Sequence, residues 1–417
     1  MLLILSASFW EIGSWCVVAL WTVYLIMMLN GLKQRQVVSG TDKVVLPRGL
    51  PRVSVLVAGR NEEECFELCL RSLLRQDYPN FEIIAINDRS TDATGEILDQ
   101  LELEFSDQLQ VIHIEDLPSG WFGKTHAMHV GSQSASGDWL LYVDADCELQ
   151  SDAGISLAVQ EAQRRGADLL SLTPHFVLNT AWEQMTVPVC SSVMMVWFQP
   201  ARVNNPKLRT SYANGAFLMI SRHGYDSLGG WCHFRTQISE DIAMARAAKP
   251  SGLKLVVLQN DGIYQTCMYG TIRDSWHGWS RIFYGALPRK ALVLSVTRLI
   301  LCSIIPTWAL LGWLAVASWN GTVVSSWNGT LTATAAAIVI QQAYMALIFR
   351  TVGGRFLWSL TAPLGQLIAV AMLVRAILNH VGMATTQWSG AVFSRGQMIT
   401  VPRPRVVSLP VRTTQAR

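Results

Sequence analysis

The chain has 417 residues, 50% of them hydrophobic and 15% charged, with 16 tryptophans and a mean hydropathy of +0.27. That is too apolar for an ordinary water-soluble domain and too mixed for a purely membrane-embedded one, so a polar domain joined to membrane segments is expected. A net charge of +3, with lysines and arginines beside apolar segments instead of in basic tracts, gives no ground for a nucleic-acid partner.

In chain order, residues 12–29 form an uncharged apolar run of spanning length, followed by Lys33 and Arg35. The run lacks a basic leader and a small-residue cleavage site, so it reads as a retained anchor within residues 1–35, not a cleaved signal peptide. Residues 51–57 predict a first strand, ending at Ala58-Gly59-Arg60-Asn61-Glu62-Glu63, with a helix over 64–74. Residues 81–86 predict a second strand, ending in Asn87-Asp88-Arg89-Ser90-Thr91-Asp92, where a Ser or Asp can cap a helix running to Leu101. Further strands fall at 111–114 and at 139–143, the latter opened by Gly137-Asp138. Strands alternating with helical stretches predict an α/β fold with right-handed crossovers and a mostly parallel sheet between helices.

The run 139–143 leads into Asp144-Ala145-Asp146. Open α/β sheets bind ligands at the carboxyl ends of their strands. Side chains at i and i+2 of an extended segment leave on one side, so Asp144 and Asp146 can both reach one divalent cation or one ribose-diphosphate group. Asp-x-Asp alone also describes a solvated strand end. Glu62 and Asp88 at two other strand ends add carboxylates to the same edge of the sheet. No G-x-G-x-x-G follows the first strand and no Walker lysine loop is present, which disfavours a dinucleotide oxidoreductase and a P-loop NTPase. The eight cysteines are scattered, and the close pair Cys65 and Cys69 has no partner at metal-ligand spacing, so neither a zinc site nor a disulfide framework is expected.

Residues 182–198 are apolar, rich in Val and Met and interrupted by Pro188; they read as a core or dimer helix, or as an interfacial helix leading a lipid acceptor inward. Glu240-Asp241 opens a helix over 242–248, where the helix dipole favours negative charge. Apolar runs at 299–318, 331–349 and 356–378 are further candidate spans. Lys33, Arg35, Lys43, Arg289, Lys290, Arg298, Arg350 and Arg355 then place residues 50–290 in the cytoplasm. Four full spans export the tail, which nevertheless carries Arg395, Arg403, Arg405, Arg412 and Arg417. Either the last run, with Pro363 and Gly365, is re-entrant or interfacial, or the charge rule fails there. Asn320 and Asn328 head two Asn-Gly-Thr sequons in the short outer loop.

Six motifs in order then carry a resemblance: Gly59-Arg60-Asn61-Glu62, Asn87-Asp88-Arg89-Ser90-Thr91-Asp92, Leu117 to Lys124, Val143-Asp144-Ala145-Asp146, Ser239-Glu240-Asp241 and Trp276 to Arg281. Over residues 51–286 the chain resembles the inverting, GT-A-fold family 2 glycosyltransferases, and most closely their membrane-bound branch of hopene-associated and carotenoid-type enzymes. The resemblance implies a nucleotide-sugar donor, a membrane lipid or isoprenoid acceptor, and Mg²⁺ or Mn²⁺ as cofactor. It implies that Arg60, Glu62 and Asp88 serve the donor, Lys124 and Arg281 its diphosphate, and Asp144 and Asp146 the metal. Asp241 is then the general base, with Glu240 and Trp279 on the acceptor side. Two departures stand out. Asn87 replaces an Asp common in the family, and the Gln-x-x-Arg-Trp element of processive polymer synthases is absent in that form, with Trp279-Ser280-Arg281 near its place. A processive polysaccharide synthase and a catalytically inactive membrane scaffold are the alternatives. The expected organisation is an anchor over 1–35, a catalytic domain over 50–290, a membrane region over 291–380 and a basic tail over 381–417.

Overall fold

Among the described residues before the helix Ile272–Ala286, eleven strands are set by short β-branched and aliphatic runs: β1 Val37–Ser39, β2 Val53–Gly59, β3 Phe81–Asp88, β4 Leu109–Ile114, β5 Trp139–Asp144, β6 Cys147–Leu149, β7 Leu169–Thr173, β8 Phe176–Val177, β9 Phe217–Ser221, β10 Leu255–Asp261 and β11 Tyr264–Cys267. The structure, a computed structural model, describes residues 7–46, 49–320, 329–388, 391–394 and 397–399, so Asn328 and the tail arginines from Arg395 onward lie outside the described residues. Eight strands make one sheet in the order β1-β10-β7-β9-β5-β2-β3-β4. Its pairings are parallel except at β9, which runs antiparallel to both β5 and β7. The sheet is mostly parallel as expected, with β9 making it mixed, and β1, three residues long, is too short to show a period in the sequence.

Alternation sets the two faces of the sheet. Val55 and Val57 join one core with Phe66, Leu70 and Leu141, while Leu56 joins Ile84, Ile86 and Met128 in the core on the other face. These side chains are buried essentially completely, each contributing about 1.5–3 kcal/mol of apolar transfer. The register pairs Ala58 with Asp144 and Gly59 with Asn87, so β2, β3 and β5 end level with one another. A second small sheet, β6-β11-β8, begins immediately after Asp146.

Among the described residues, four helices are long and apolar enough to cross a membrane: Trp10–Lys33, Arg289–Val316, Gly329–Thr351 and Phe356–Val381. The second contains a π-helical stretch, Ile300–Ile304, inside which the Cys302 carbonyl accepts a 2.7 Å hydrogen bond from Trp21 Nε1. In the fourth, Pro363 lies in the first turn of the helix Ala362–Val381, where its missing N–H breaks no hydrogen bond, so it does not interrupt the helix. Gly365 permits close packing: a Cβ there would strike the Met185 carbonyl oxygen. Met185 belongs to the helix Ala181–Trp197, which starts with a Thr180/Glu183 capping box and touches the spans again through Cys190 Sγ and Met372 Sδ, 3.9 Å apart. That helix is thus a core element, joined with the helix Ile272–Ala286 and the later spans in a third apolar cluster. Beyond Gly382, three short antiparallel strands, Thr386–Trp388, Ala391–Ser394 and Gln397–Ile399, occupy the start of the region expected as a tail.

Candidate active site

The turns after β2 and β3 lock into each other. Asn61 and Arg89 adopt left-handed φ values of 58° and 59°, uncommon for residues with a Cβ and costly by about 1–3 kcal/mol each. Neighbouring polar groups hold them there. The Asn61 side-chain oxygen accepts from Thr91 N at 2.8 Å, the Ser90 hydroxyl from Asn61 N at 3.0 Å, and the Thr94 hydroxyl from Glu62 N at 2.9 Å. Asp92 accepts from Thr94 N and Glu63 N, while the helix Thr94–Glu104 has Ala93 as its N-cap, one residue beyond the expected Ser or Asp. Arg89 donates to both carboxylate oxygens of Asp88, at 2.7 and 3.0 Å. Asp88 is 3% exposed, so in this state the expected nucleoside ligand is paired with its own neighbour. Asn87 lies 3.0 Å from His113, whose other ring nitrogen is 2.8 Å from Asp99. Arg60 is half-buried at the start of the first of these turns.

A second group forms around Lys124. Its Nζ is 2.6 Å from Asp144 Oδ1 and 3.1 Å from Glu240 Oε1, which ties the end of β5 to the start of the helix Glu240–Ala248. Burial works against this ammonium, yet Asp144 and Glu240 hold its pKa well above the ordinary lysine range. The loop before it is anchored: Phe122 N and the Thr125 hydroxyl both donate to the Arg235 carbonyl at 3.0 Å, and the Phe122 ring sits 4.4 Å from that of Phe393. Asp241 accepts from Gly215 N at 2.9 Å and from Ile242 N at 2.7 Å. Burial, and then the charge of Glu240, push its pKa up to about 7 despite those donors. Asp146 is also pushed up to about 7, first by burial, then by Asp144 and Glu62, while the Thr266 hydroxyl bonds its carboxylate. Glu62 is raised by burial above all, against a 3.2 Å hydrogen bond from the Cys65 thiol. A cavity of about 300 Å³ opens beside it, lined by Asn61, Glu62, Glu63, Glu64, Cys65 and Asp92.

Six expected residues therefore converge: Glu62, Lys124, Asp144, Asp146, Glu240 and Asp241. Among the described residues no group of three or more His, Cys, Asp or Glu is arranged to hold a metal by itself. Asp144 and Asp146 nevertheless suit a divalent cation that takes its other ligands from diphosphate and water, because their hard oxygens repel each other and Asp144 shares its partner Lys124 with Glu240. Trp279 corrects the expectation of an acceptor-side residue. It is 3% exposed in the third core with Phe283, since Trp279, Phe283 and Ala286 share one apolar face of their helix. Arg281, on the same helix, donates to the Tyr269 hydroxyl at 3.3 Å. Gly215 and Thr266 went unforeseen. They lie far along the chain from their carboxylates, and only the turn signal Asn214-Gly215 marked the first.

Residues 54–229 match the family model described as Glycosyl transferase family 2. The 4,4'-diaponeurosporenoate glycosyltransferase of Staphylococcus aureus is 22% identical over 231 residues, 55% of this chain and 60% of that protein. A beta-monoglucosyldiacylglycerol synthase of Nostoc sp. is 30% identical over 185 residues, 44% of this chain and 38% of that protein. The match thus spans roughly half the length of these curated relatives or less. A mannosyltransferase of Pyrobaculum calidifontis, solved with GDP-Man and Mn²⁺, shares the fold at a TM-score of 0.50 and 17% identity, over 88% of this chain and 99% of its own. The matched segment holds Glu62, Asp88, Lys124, Asp144 and Asp146 and stops before Glu240. Residues 54–229 are thus similar to glycosyl transferase family 2 domains, and the mixed sheet with its level strand ends has the GT-A fold.

Proposed function

We propose that the chain is a membrane-anchored, inverting glycosyltransferase that moves one sugar from a nucleotide-diphosphate donor, a UDP-sugar, to a membrane lipid or isoprenoid acceptor. The observation that carries this reading is Lys124 held between Asp144 and Glu240 with Asp241 beside it, a donor-side acid and an acceptor-side pair joined by one cation. Of the two adjacent acids, Glu240 has its charge taken up by Lys124, while Asp241 is the one lifted to about 7 and so the better base near neutral pH. Asp241 takes the proton of the acceptor hydroxyl as its oxygen attacks the anomeric carbon opposite the diphosphate. The bond from that carbon to the diphosphate oxygen breaks, the nucleoside diphosphate leaves with the electron pair, and the configuration inverts. Lys124 turns to the diphosphate as the donor enters, and Arg281 adds a second cation on that side. Arg60, Glu62 and Asp88 hold the nucleoside. Asp146 and Asp144 would hold Mg²⁺ or Mn²⁺, which supplies positive charge for the departing diphosphate.

Three further features support the reading. The relatives' names point to a diaponeurosporenoate and to a glucosyldiacylglycerol, both apolar compounds. Four helices have spanning length. The charges at Lys33, Arg35, Lys43, Arg289 and Lys290 favour a cytoplasmic catalytic domain over 50–290, between an anchor at 1–35 and a membrane region at 291–380. The test is calorimetry of UDP-sugar binding to the purified full chain with Mg²⁺ or with EDTA, paired with a search for one missing glycolipid in cells lacking the protein. Donor binding should weaken by at least about 10–100-fold in EDTA and in Asp146→Ala. Equal affinity with EDTA overturns the metal role, and a polymeric product makes the chain a polysaccharide synthase instead.

A further inference from the structure

Phe198 ends the helix Ala181–Trp197, and its ring lies 5.2 Å from that of Tyr212 at an angle of 30°. Both rings are only partly buried, and both pack against two different apolar clusters, the one shared with the spans and the one beneath the catalytic sheet. The pair therefore sits on the seam between the membrane side and the catalytic side. At the catalytic end, Tyr212 is near enough to Asp241 to feel its charge. Its hydroxyl accepts from Asn214 at 3.3 Å, and the next residue, Gly215, donates to Asp241. At the other end, Trp197 Nε1 donates to the Ser295 hydroxyl at 2.8 Å. Ser295 lies in the helix Arg289–Leu299, the first part of the candidate span Arg289–Val316. Tyr212 and Phe198, with Trp197 next in the chain, thus link the neighbourhood of the candidate base to the foot of a span.

We propose that the Phe198–Tyr212 ring pair is the acceptor's docking platform, holding the first carbons of an apolar chain so that its terminal hydroxyl meets Asp241 while the rest of the chain extends along the spans. This rests on the glycosyltransferase reading and adds the binding site of the acceptor's apolar chain. The platform is continuous with apolar helices, and it presents two flat rings with a single hydroxyl already bonded to Asn214. That surface suits a hydrocarbon chain with one polar end. A glycan chain also stacks on aromatic rings, but it has many hydroxyls to satisfy, and an apolar seam leaves them unpaired.

The test places a benzophenone-bearing amino acid at position 198 in the full chain, in native membranes, and at Leu103 as a control that is 85% exposed on the helix Thr94–Glu104. After irradiation, the adduct at 198 should have the mass of a lipid, and the Leu103 control should have none. An adduct of glycan mass at 198, or no lipid adduct beyond the control, overturns the proposal. In parallel, Phe198→Ala is assayed with UDP-sugar and vesicles of total lipid extract. It should lose transfer about 3–10-fold through acceptor KM, with donor affinity unchanged. A loss confined to donor affinity overturns the platform. Donor titration of the same samples separates the two failures. A chain that binds no nucleotide sugar defeats the glycosyltransferase reading and the platform with it, whereas donor binding without a lipid adduct defeats the platform alone.

Discussion

The turns after β2 and β3 and the centre around Lys124 are built from the same kinds of residue, acids and small polar groups, yet their electrostatic states are opposite. In the turns, Asp88 is matched by Arg89, Asp92 by two backbone N–H groups, and Asn61 by Thr91. In the centre, Asp144 and Glu240 share the ammonium of Lys124, while Asp146 and Asp241 are pushed to about 7. These groups of the turns are satisfied without a ligand, whereas Glu62, in the first turn, is raised by burial and belongs electrostatically with the centre. Burial first, and then the charge of Glu240, raises the basicity of Asp241, while the centre's shortage of positive charge gives a metal-bound diphosphate a reason to bind.

The largest expected effect is at Asp241. Asp241→Asn keeps the shape and one acceptor oxygen but cannot take a proton, so transfer should fall by about 10²–10⁴-fold with donor affinity nearly intact. Retention of most activity would move the base to another acid. Next comes pH. Asp241 works as a base only when ionised, so kcat/KM should climb roughly tenfold per unit below about pH 7 and level off above it. A flat profile from pH 5 to 8 would break the contrast between the two regions.

Stability should show the same imbalance with smaller amplitude. The folded-state pKa of Asp241 lies above the ordinary 3.8, so the native state binds the extra proton and stability is lost as pH rises from about 4 through about 7. Asp241→Asn should therefore raise stability at pH 8, by on the order of 1–3 kcal/mol, and by little at pH 4. Thermal unfolding at the two pH values checks the sign. The completed region should behave the other way: Asn61→Ala removes the acceptor for Thr91 N and keeps the left-handed φ, costing about 1–2 kcal/mol at either pH. A pH-dependent loss there would mean that the turns, too, are out of balance.

Much of this centre was legible in the sequence. Local pattern marked Asp144 and Asp146 at the end of an apolar run and Glu240 and Asp241 at a helix start, while the family resemblance singled out Lys124 and implied the roles of all five. What stayed hidden depends on residues distant in the chain: Gly215 on Asp241, Thr266 on Asp146, and the insertion of β9 antiparallel between β5 and β7. Trp279 was misplaced because a motif was weighed above a helical face. The spacing of Trp279, Phe283 and Ala286 is that of a buried stripe. Pro363 enters the sequence reading only as part of a run that is re-entrant or interfacial or that breaks the charge rule; it stands in a first helical turn, where a proline marks a helix start and not a break.

Only Gln34, Arg35 and Gln36 separate the helix Ala7–Lys33 from β1, which pairs in parallel with β10 at the edge of the catalytic sheet. Fully extended, the four steps from Lys33 to Val37 cover at most about 14 Å. In the proposed membrane setting this is a leash too short for the domain to search a neighbouring bilayer, so the enzyme works in cis. Its substrate supply is set by diffusion within one leaflet, and its rate should follow the acceptor's mole fraction in that membrane and not its bulk concentration.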